Sequence, residues 1–326
     1  MDSLKKGSTM DADTIKMPLI LEVKGNSLDD GPGIRSVVFF KGCPLSCVWC
    51  HNPESQKVRS ELSYDQTRCI GCHTCVDTCR EGAIKASLPI SIDRKRCTLC
   101  FECAETCPSH ALERVGRQMA VEEIVDVVMR DKPFYDVSGG GVTLSGGEPT
   151  LAGPFTGALL KALKNEKVHT LMETCGHFRT EFFHKALLPY LDMIYFDLKL
   201  IDSREHVRYC GVSNEIILKN FEALHETAPD RVLARVPLVP GITDRDENLT
   251  GIATHLSRLN VGRVALLAYN PLWPDKCEKI GMANQFPATG ASRSWMSKEK
   301  EKACQEIFER MGIRVTGGTK STAPPK

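Results

Sequence analysis

The sequence predicts an α/β fold built on a parallel sheet that closes as a full or partial barrel, interrupted once by a loop-rich insert. Two patterns point that way. From Val121 onward, short apolar runs alternate with amphipathic stretches of ten or so residues, the signature of βαβ units. Between Cys69 and Cys107 this periodicity stops, and turns and cysteines take its place. A length of 326 residues, 42% hydrophobic and 25% charged, suits one large α/β domain with an insertion, or two domains. With 42 basic against 41 acidic side chains, the balance gives no sign of a nucleic-acid footprint or an acidic polymer substrate. No run approaches the roughly 18 apolar residues of a membrane span.

Taken in order, residues 1–16 are polar and lack the apolar core of a secretory signal, so a disordered lead and a cytoplasmic protein are expected. Residues 18–24 (PLILEVK) and 36–41 (SVVFFK) read as strands, joined by the turn-forming Asp29-Asp30-Gly31-Pro32-Gly33. Beyond the insert, the spacing predicts helices over 121–130, 155–165, 182–190, 215–226, 248–259 and 298–311. Between and after them fall strands at 141–144, 169–173, 193–198, 231–239, 263–268 and 312–316. That makes about six to eight βα units, whose chemistry belongs at the C-terminal ends of the strands. The barrel is expected from 17–55 and 112–318, the insert from 56–111, and a flexible tail from 319–326.

Fifteen cysteines form an odd set for disulfides, and a chain of this length needs none to fold. Eleven of them lie between residues 43 and 107 at short regular spacings, which is metal-site usage. The remaining four, Cys175, Cys210, Cys277 and Cys304, read as scattered reduced thiols. Cys43, Cys47 and Cys50 form C-x3-C-x2-C directly after a strand. An iron–sulfur cube held wholly by protein takes four thiolates. Three leave one iron with an open position, the mark of a metal centre that does chemistry. A zinc knuckle, or a fourth cysteine arriving from elsewhere, are the other readings. Cys69, Cys72, Cys75 and Cys79 form C-x2-C-x2-C-x3-C, and Cys97, Cys100, Cys103 and Cys107 repeat it with Pro108 following.

This doubled run resembles bacterial ferredoxins, apart from Arg80 in place of the first proline. The resemblance implies two further [4Fe–4S] clusters with crossed ligands. Cys69, Cys72, Cys75 and Cys107 would hold one, and Cys97, Cys100, Cys103 and Cys79 the other. Structural zinc is the alternative. The three-cysteine loop resembles the radical S-adenosylmethionine superfamily over nearly the whole chain. That implies a partial (β/α)6 barrel in which the open iron binds S-adenosylmethionine, whose reductive cleavage yields a 5′-deoxyadenosyl radical. Ser145-Gly146-Gly147-Glu148-Pro149 ends a strand, and its glycines let backbone approach a ligand closely. Glu148 or nearby backbone is expected at the methionyl ammonium. Asp197 and Lys199 close another strand on one side of it. They match the family's cofactor contacts for ribose or carboxylate, a solvated strand end being the alternative.

The runs 28–35 (LDDGPGIR), 42–54 (GCPLSCVWCHNPE) and 138–149 (SGGGVTLSGGEP) are similar to the glycyl-radical-enzyme activating enzymes, and the insert to their longer members. The implied substrate is one backbone glycine on a loop of a large partner enzyme, reached through a lateral opening in the barrel. Flavodoxin or ferredoxin would donate electrons, with the ferredoxin-type clusters as a wire or as a structural or docking module. Glu173-Thr174 match a place where relatives carry Asp-Thr, beside a monovalent cation. His206 and Gly211 match a pattern after the DLK strand, a lone surface histidine being the alternative. Arg235, Val236 and the Pro240-Gly241 turn fit the strand that flanks the adenosine; Arg235 equally fits a salt bridge within the barrel. Ala268-Tyr269-Asn270 departs from relatives that carry histidine at the third position. Asn270 can bind the cofactor by hydrogen bonds, but it cannot titrate near neutral pH. A radical enzyme acting on a small molecule or peptide, and a pure electron-transfer protein, are the competing functions.

Overall fold

The structure, a computed structural model, describes residues 16–283, 286 and 293–317. The expected lead (apart from Lys16) and the tail 319–326 lie outside the described residues. The chain opens with the strands β1 (Leu19–Ser27) and β2 (Arg35–Lys41). An excursion follows with β3 (Glu61–Tyr64), β4 (Ile84–Lys85), β5 (Ser91–Ile92) and β6 (Leu112–Val115). After β7 (Arg117–Gln118) come β8 (Gly141–Gly146), β9 (His169–Thr174) and β10 (Met193–Asp197). The last three are β11 (Val232–Leu238), β12 (Arg263–Ala268) and β13 (Arg314–Gly317).

Nine of these strands form one sheet in the order β13-β12-β11-β10-β9-β8-β2-β1-β7. From β2 to β13 each neighbouring pair is parallel, while β1 is antiparallel to β2 and β7 to β1. The sheet therefore keeps two edges, β7 and β13, and a fully closed barrel is not formed among the described residues. The inner strands are largely buried along their length, as strands of parallel sheets generally are. β8 (GVTLSG) is buried along its first five residues. The core runs through Val38, Phe40, Leu144, Met172, Phe196, Val236 and Leu266. Helix Gly153–Asn165 closes over it with Phe155, Leu159, Leu160 and Leu163, the one-sided spacing of an amphipathic helix.

Several elements differ from the sequence expectation. The helix expected over 182–190 is instead Thr180–Ala186 followed by a 3-10 turn, Leu188–Tyr190, because Pro189 offers no amide to continue the ladder. The helix expected from 121 ends at Val128, and a second one, Lys132–Ser138, follows a 3-10 turn. Two further helices, Ser203–Cys210 and Trp273–Lys279, were not indicated by apolar periodicity, since each buries only two side chains.

The excursion has its own small core of Leu62, Ile84, Ile90, Phe101 and Leu112 with Cys75 and Cys103. β3 pairs antiparallel with β6 at its base. Its seat on the sheet is polar. Lys41 Nζ lies 2.8 Å from Glu61, Arg94 donates to the carbonyls of Leu62 (2.7 Å) and Lys279 (3.0 Å), and Lys279 pairs with Asp65 at 2.8 Å.

Candidate active site

β2 delivers the cysteine loop through Gly42, whose φ of +114° is one that L side chains rarely adopt. The loop is fastened on two sides. Gly42 N donates to Ser55 O (2.6 Å) and Cys43 N to Gln56 O (3.1 Å). Ser46 N donates to Cys210 O (2.9 Å) and Val48 N to Tyr209 O (3.0 Å). The last two bonds use carbonyls at the C-terminus of helix Ser203–Cys210, which have no partner within the helix. Gly211 then turns the chain with φ +86°, and a β-carbon there would stand 2.3 Å from Ser46 Oγ. His206 is no surface histidine: it is buried, and its Nδ1–H donates to Val212 O at 2.6 Å, bracing that turn.

The Gly146–Gly147 step passes so close to β2 that a β-carbon on Gly147 would lie 2.1 Å from Gly42 O. Glu148 is 1% exposed. Its Oε2 accepts from Cys175 N (2.7 Å) and Thr174 Oγ1 (2.9 Å), and its Oε1 from Thr150 Oγ1 (2.8 Å). The carboxylate is therefore saturated by its own chain, tying the ends of β8 and β9 together.

Across β9, β10 and β11 lies a closed set of four charges. Sheet register places Asp197 opposite Arg235 and Tyr195 opposite Glu173. Asp197 pairs with Lys199 at 3.0 Å and with Arg235 at 2.9 Å, and Arg235 also holds Glu173. Glu173 Oε2 accepts from Ser145 Oγ at 2.6 Å, and the Arg235 guanidinium lies 5.0 Å from the centre of the Tyr195 ring. Burial alone would raise the Asp197 carboxyl, but Arg235 and Lys199 beside it hold it below its ordinary value. Burial alone would lower Lys199, and Asp197 lifts it above the usual lysine range. Two acids and two bases leave the set neutral, and Arg235 is the internal ion-pair residue at its centre. Asn270 Nδ2 stands 3.4 Å from His51 Nδ1, next to the cysteine loop, and Lys276 Nζ donates to His51 O at 2.9 Å. Burial, with Lys276 nearby, takes His51 down to about 4, so its ring is neutral at pH 7.

Two of the four supposedly scattered thiols are at this site. Cys175 follows β9 and lies against Cys43; Cys210 ends its helix against Cys47. No local spacing could have shown this, because the partners are separated by more than a hundred residues of chain. Cys277 is buried in the same apolar cluster as Cys175 and Cys210, and Cys304 lies in the main core.

In the insert, one cavity of about 210 Å³ is lined by Cys79, Cys97, Cys100 and Cys103. A second hollow is lined by Cys69, Cys72, Cys75 and Cys107. The fourth cysteine of each run thus sits with the other run's first three. The runs share backbone geometry too. Gly71 and Leu99, before the second cysteine of each run, and His73 and Phe101, after it, all have φ between 59° and 70°. Left-handed non-glycine residues of this kind are costly and cluster at functional sites. Among the described residues no three His, Cys, Asp or Glu side chains converge tightly enough for a single metal ion. Four cysteines gathered around each cavity match the ligand number of a protein-held iron–sulfur cube.

Comparison with known proteins agrees on the chemistry. The radical SAM superfamily matches residues 92–250, a 4Fe-4S single cluster domain residues 29–72, and a 4Fe-4S binding domain residues 62–85. The chain is 39% identical to the trans-4-hydroxy-L-proline dehydratase activating enzyme of Clostridioides difficile, over 92% of this chain and 99% of that one. It is 37% identical to the choline trimethylamine-lyase activating enzyme of Oleidesulfovibrio alaskensis, over 89% and 96% respectively. With the benzylsuccinate synthase activating enzyme of Thauera aromatica it shares 35% identity over 93% of each chain.

Proposed function

The chain belongs to the glycyl-radical-enzyme activating enzymes of the radical S-adenosylmethionine superfamily, and from that premise we propose how its residues divide the work. It is a radical oxidoreductase that cleaves S-adenosylmethionine and activates a glycyl radical enzyme, with a radical SAM fold carrying ferredoxin-like insertions and several [4Fe–4S] clusters. When bound, the catalytic cluster and S-adenosylmethionine supply a 5′-deoxyadenosyl radical that takes hydrogen from a glycine of the partner.

The observation that carries the assignment of residues is convergence. The loop of Cys43, Cys47 and Cys50, the Gly146–Glu148 turn and the Glu173–Arg235–Asp197–Lys199 set meet at one end of the parallel strands, where such sheets do chemistry. Cys43, Cys47 and Cys50 are the ligands of the catalytic cluster, leaving one iron for the cofactor. Because the Glu148 carboxylate already accepts from Thr150, Thr174 and Cys175, the methionyl ammonium falls to backbone carbonyls of the Gly146–Gly147 turn. Lys199 and Asp197 face the cofactor's carboxylate and ribose, and Arg235 fixes both by holding Asp197 in place. Asn270, beside His51, contributes hydrogen bonds and no proton. Glu173, beside the expected monovalent-cation site, is paired with Arg235.

We assign three clusters in all, the two in residues 56–111 with the crossed ligand sets that line the two cavities. They serve as a wire from a flavodoxin or ferredoxin in the cytoplasm, and the open sheet is the partial (β/α)6 barrel. Anaerobic reconstitution with iron and sulfide, reduction and addition of S-adenosylmethionine test the core of this. Wild type should release 5′-deoxyadenosine and Cys47→Ala should release none. A loaded, reducible wild type that makes no product would overturn the catalytic reading.

A further inference from the structure

The two cysteine runs of the insert share their backbone turns, yet they differ in what they show to solvent. In the first run Ile70, between Cys69 and Gly71, is 68% exposed. Leu88 is 71% exposed and lies against the same loop, since a β-carbon on Gly71 would stand 3.1 Å from its Cδ2. The segment that carries Leu88 is fastened there. Ile90 N donates to Tyr64 Oη at 3.2 Å, and both residues line the hollow of Cys69, Cys72, Cys75 and Cys107. The second run has Thr98 where the first has Ile70, and its cavity is rimmed by Arg80, Glu81 and Glu102. Two large aliphatic side chains left side by side in water over one run, and absent from its twin, point to a contact made there.

We propose that Ile70 and Leu88 form the docking face for a flavodoxin, and that electrons enter the chain at the cluster of Cys69, Cys72, Cys75 and Cys107 beneath it. Three observations select this occupant. The face is small, two large side chains where a stable interface uses about twenty residues a side, and weak electron-transfer encounters are the smallest class. The full charges on its two stretches, 66–73 and 84–90, are Arg68, which also pairs with Glu113, and Lys85. Both are basic, which complements an acidic carrier. An aliphatic tip also fits the dimethylbenzene edge of a flavin, which is apolar. One electron passes from the anionic flavin hydroquinone, leaving the neutral semiquinone, and lowers the cluster's charge by one. No proton moves and no bond forms or breaks. The inference rests on the reading of the insert's clusters as a wire, and adds where the wire begins.

The test mixes the reconstituted, oxidised full chain anaerobically with flavodoxin hydroquinone. Stopped-flow absorbance follows the semiquinone as it appears and the iron–sulfur band as it bleaches. Ile70→Gln combined with Leu88→Gln adds no charge beside the cluster. It should slow the second-order step by about tenfold or more, the effect of losing one side chain's burial. Thr98→Gln, the same change at the matching position of the second run, should leave the rate unaltered. Dithionite, which needs no docking face, should reduce all three proteins alike and give the same electron paramagnetic resonance signals. Oxidised flavodoxin should slow hydrogen exchange at residues 68–73 and 85–90 of the wild type. Equal flavodoxin rates in wild type and double variant, or equal slowing by Thr98→Gln, would overturn the proposal. So would a double variant that keeps its flavodoxin rate but, reduced by dithionite, no longer activates the glycyl radical enzyme, since the face then belongs to that partner. Should the double variant fail to take up iron, exchange protection in the wild type decides. A wild type reduced by dithionite but not by flavodoxin overturns both this face and the flavodoxin donor. One that takes electrons yet cleaves no S-adenosylmethionine refutes the catalytic reading, and the flavodoxin rates still decide the docking face.

Discussion

Glu148, His206 and Arg235 are polar side chains whose partners all come from the chain itself, and among the buried polar groups the histidines set a pH dependence. His169, His206 and His255 are each held below the ordinary 6.5 by burial, His169 also by the Arg35 guanidinium. In such a pair of states the unfolded chain binds more protons, so stability rises with pH. The contribution is fully present above about 6.5 and is lost as pH falls through and below that value. We expect scanning calorimetry to give a clearly lower Tm at pH 5.5 than at pH 7.5. His206→Gln, which cannot titrate, should flatten part of that slope. A Tm indifferent to pH across this range would mean that these rings are not buried as neutral bases.

Helix Ser203–Cys210 shows what an element contributes beyond its own stability. It buries only two side chains, yet its terminal carbonyls hold the cysteine loop and its C-terminal Gly211 lets Ser46 approach. Gly211→Ala should cost about 1–3 kcal/mol, since φ +86° is unfavourable for alanine. Urea unfolding measures it, and adding Ser46→Ala should recover only the part due to the overlap with Oγ. A neutral Gly211→Ala would show that the turn adapts freely. This helix also marks the limit of what sequence shows. The strands and the long helices were legible because they bury a continuous apolar face with a clear period. Ser203–Cys210 and Trp273–Lys279 were not, because they are short, polar and stabilised by what they dock on. The same division holds at the site. Eleven cysteines declare themselves through spacings of two or three residues. The Glu173–Arg235–Asp197–Lys199 set depends on strand register, and the approach of Cys175 and Cys210 on tertiary contact, so neither could be read from local pattern.

Across the whole molecule, one helix bridges the insert and the cysteine loop in addition to their direct contact at Gln56. Trp273–Lys279 takes Arg94 and Asp65 of the insert at its last residue, while Lys276, one turn earlier, holds His51 O and Asn52. Removing Arg94 strips donors from two carbonyls and should cost roughly 1–3 kcal/mol. Arg94→Ala is expected to speed hydrogen exchange in residues 273–279 and to extend that change to residues 50–54. Exchange that rises only inside the insert would separate the two regions mechanically.

The paired base of the insert has a longer reach. The chain departs through β3 and returns through β6, matched residue for residue from Glu61 opposite Val115 to Tyr64 opposite Leu112. Departure and return are thus about 4.8 Å apart, one strand spacing. A stretch gathered at such a neck can be lengthened, trimmed or exchanged between lineages while every parallel strand keeps its neighbour. The ferredoxin-like insert and the parallel sheet are therefore joined at a single stem, so that one can change without re-pairing the other.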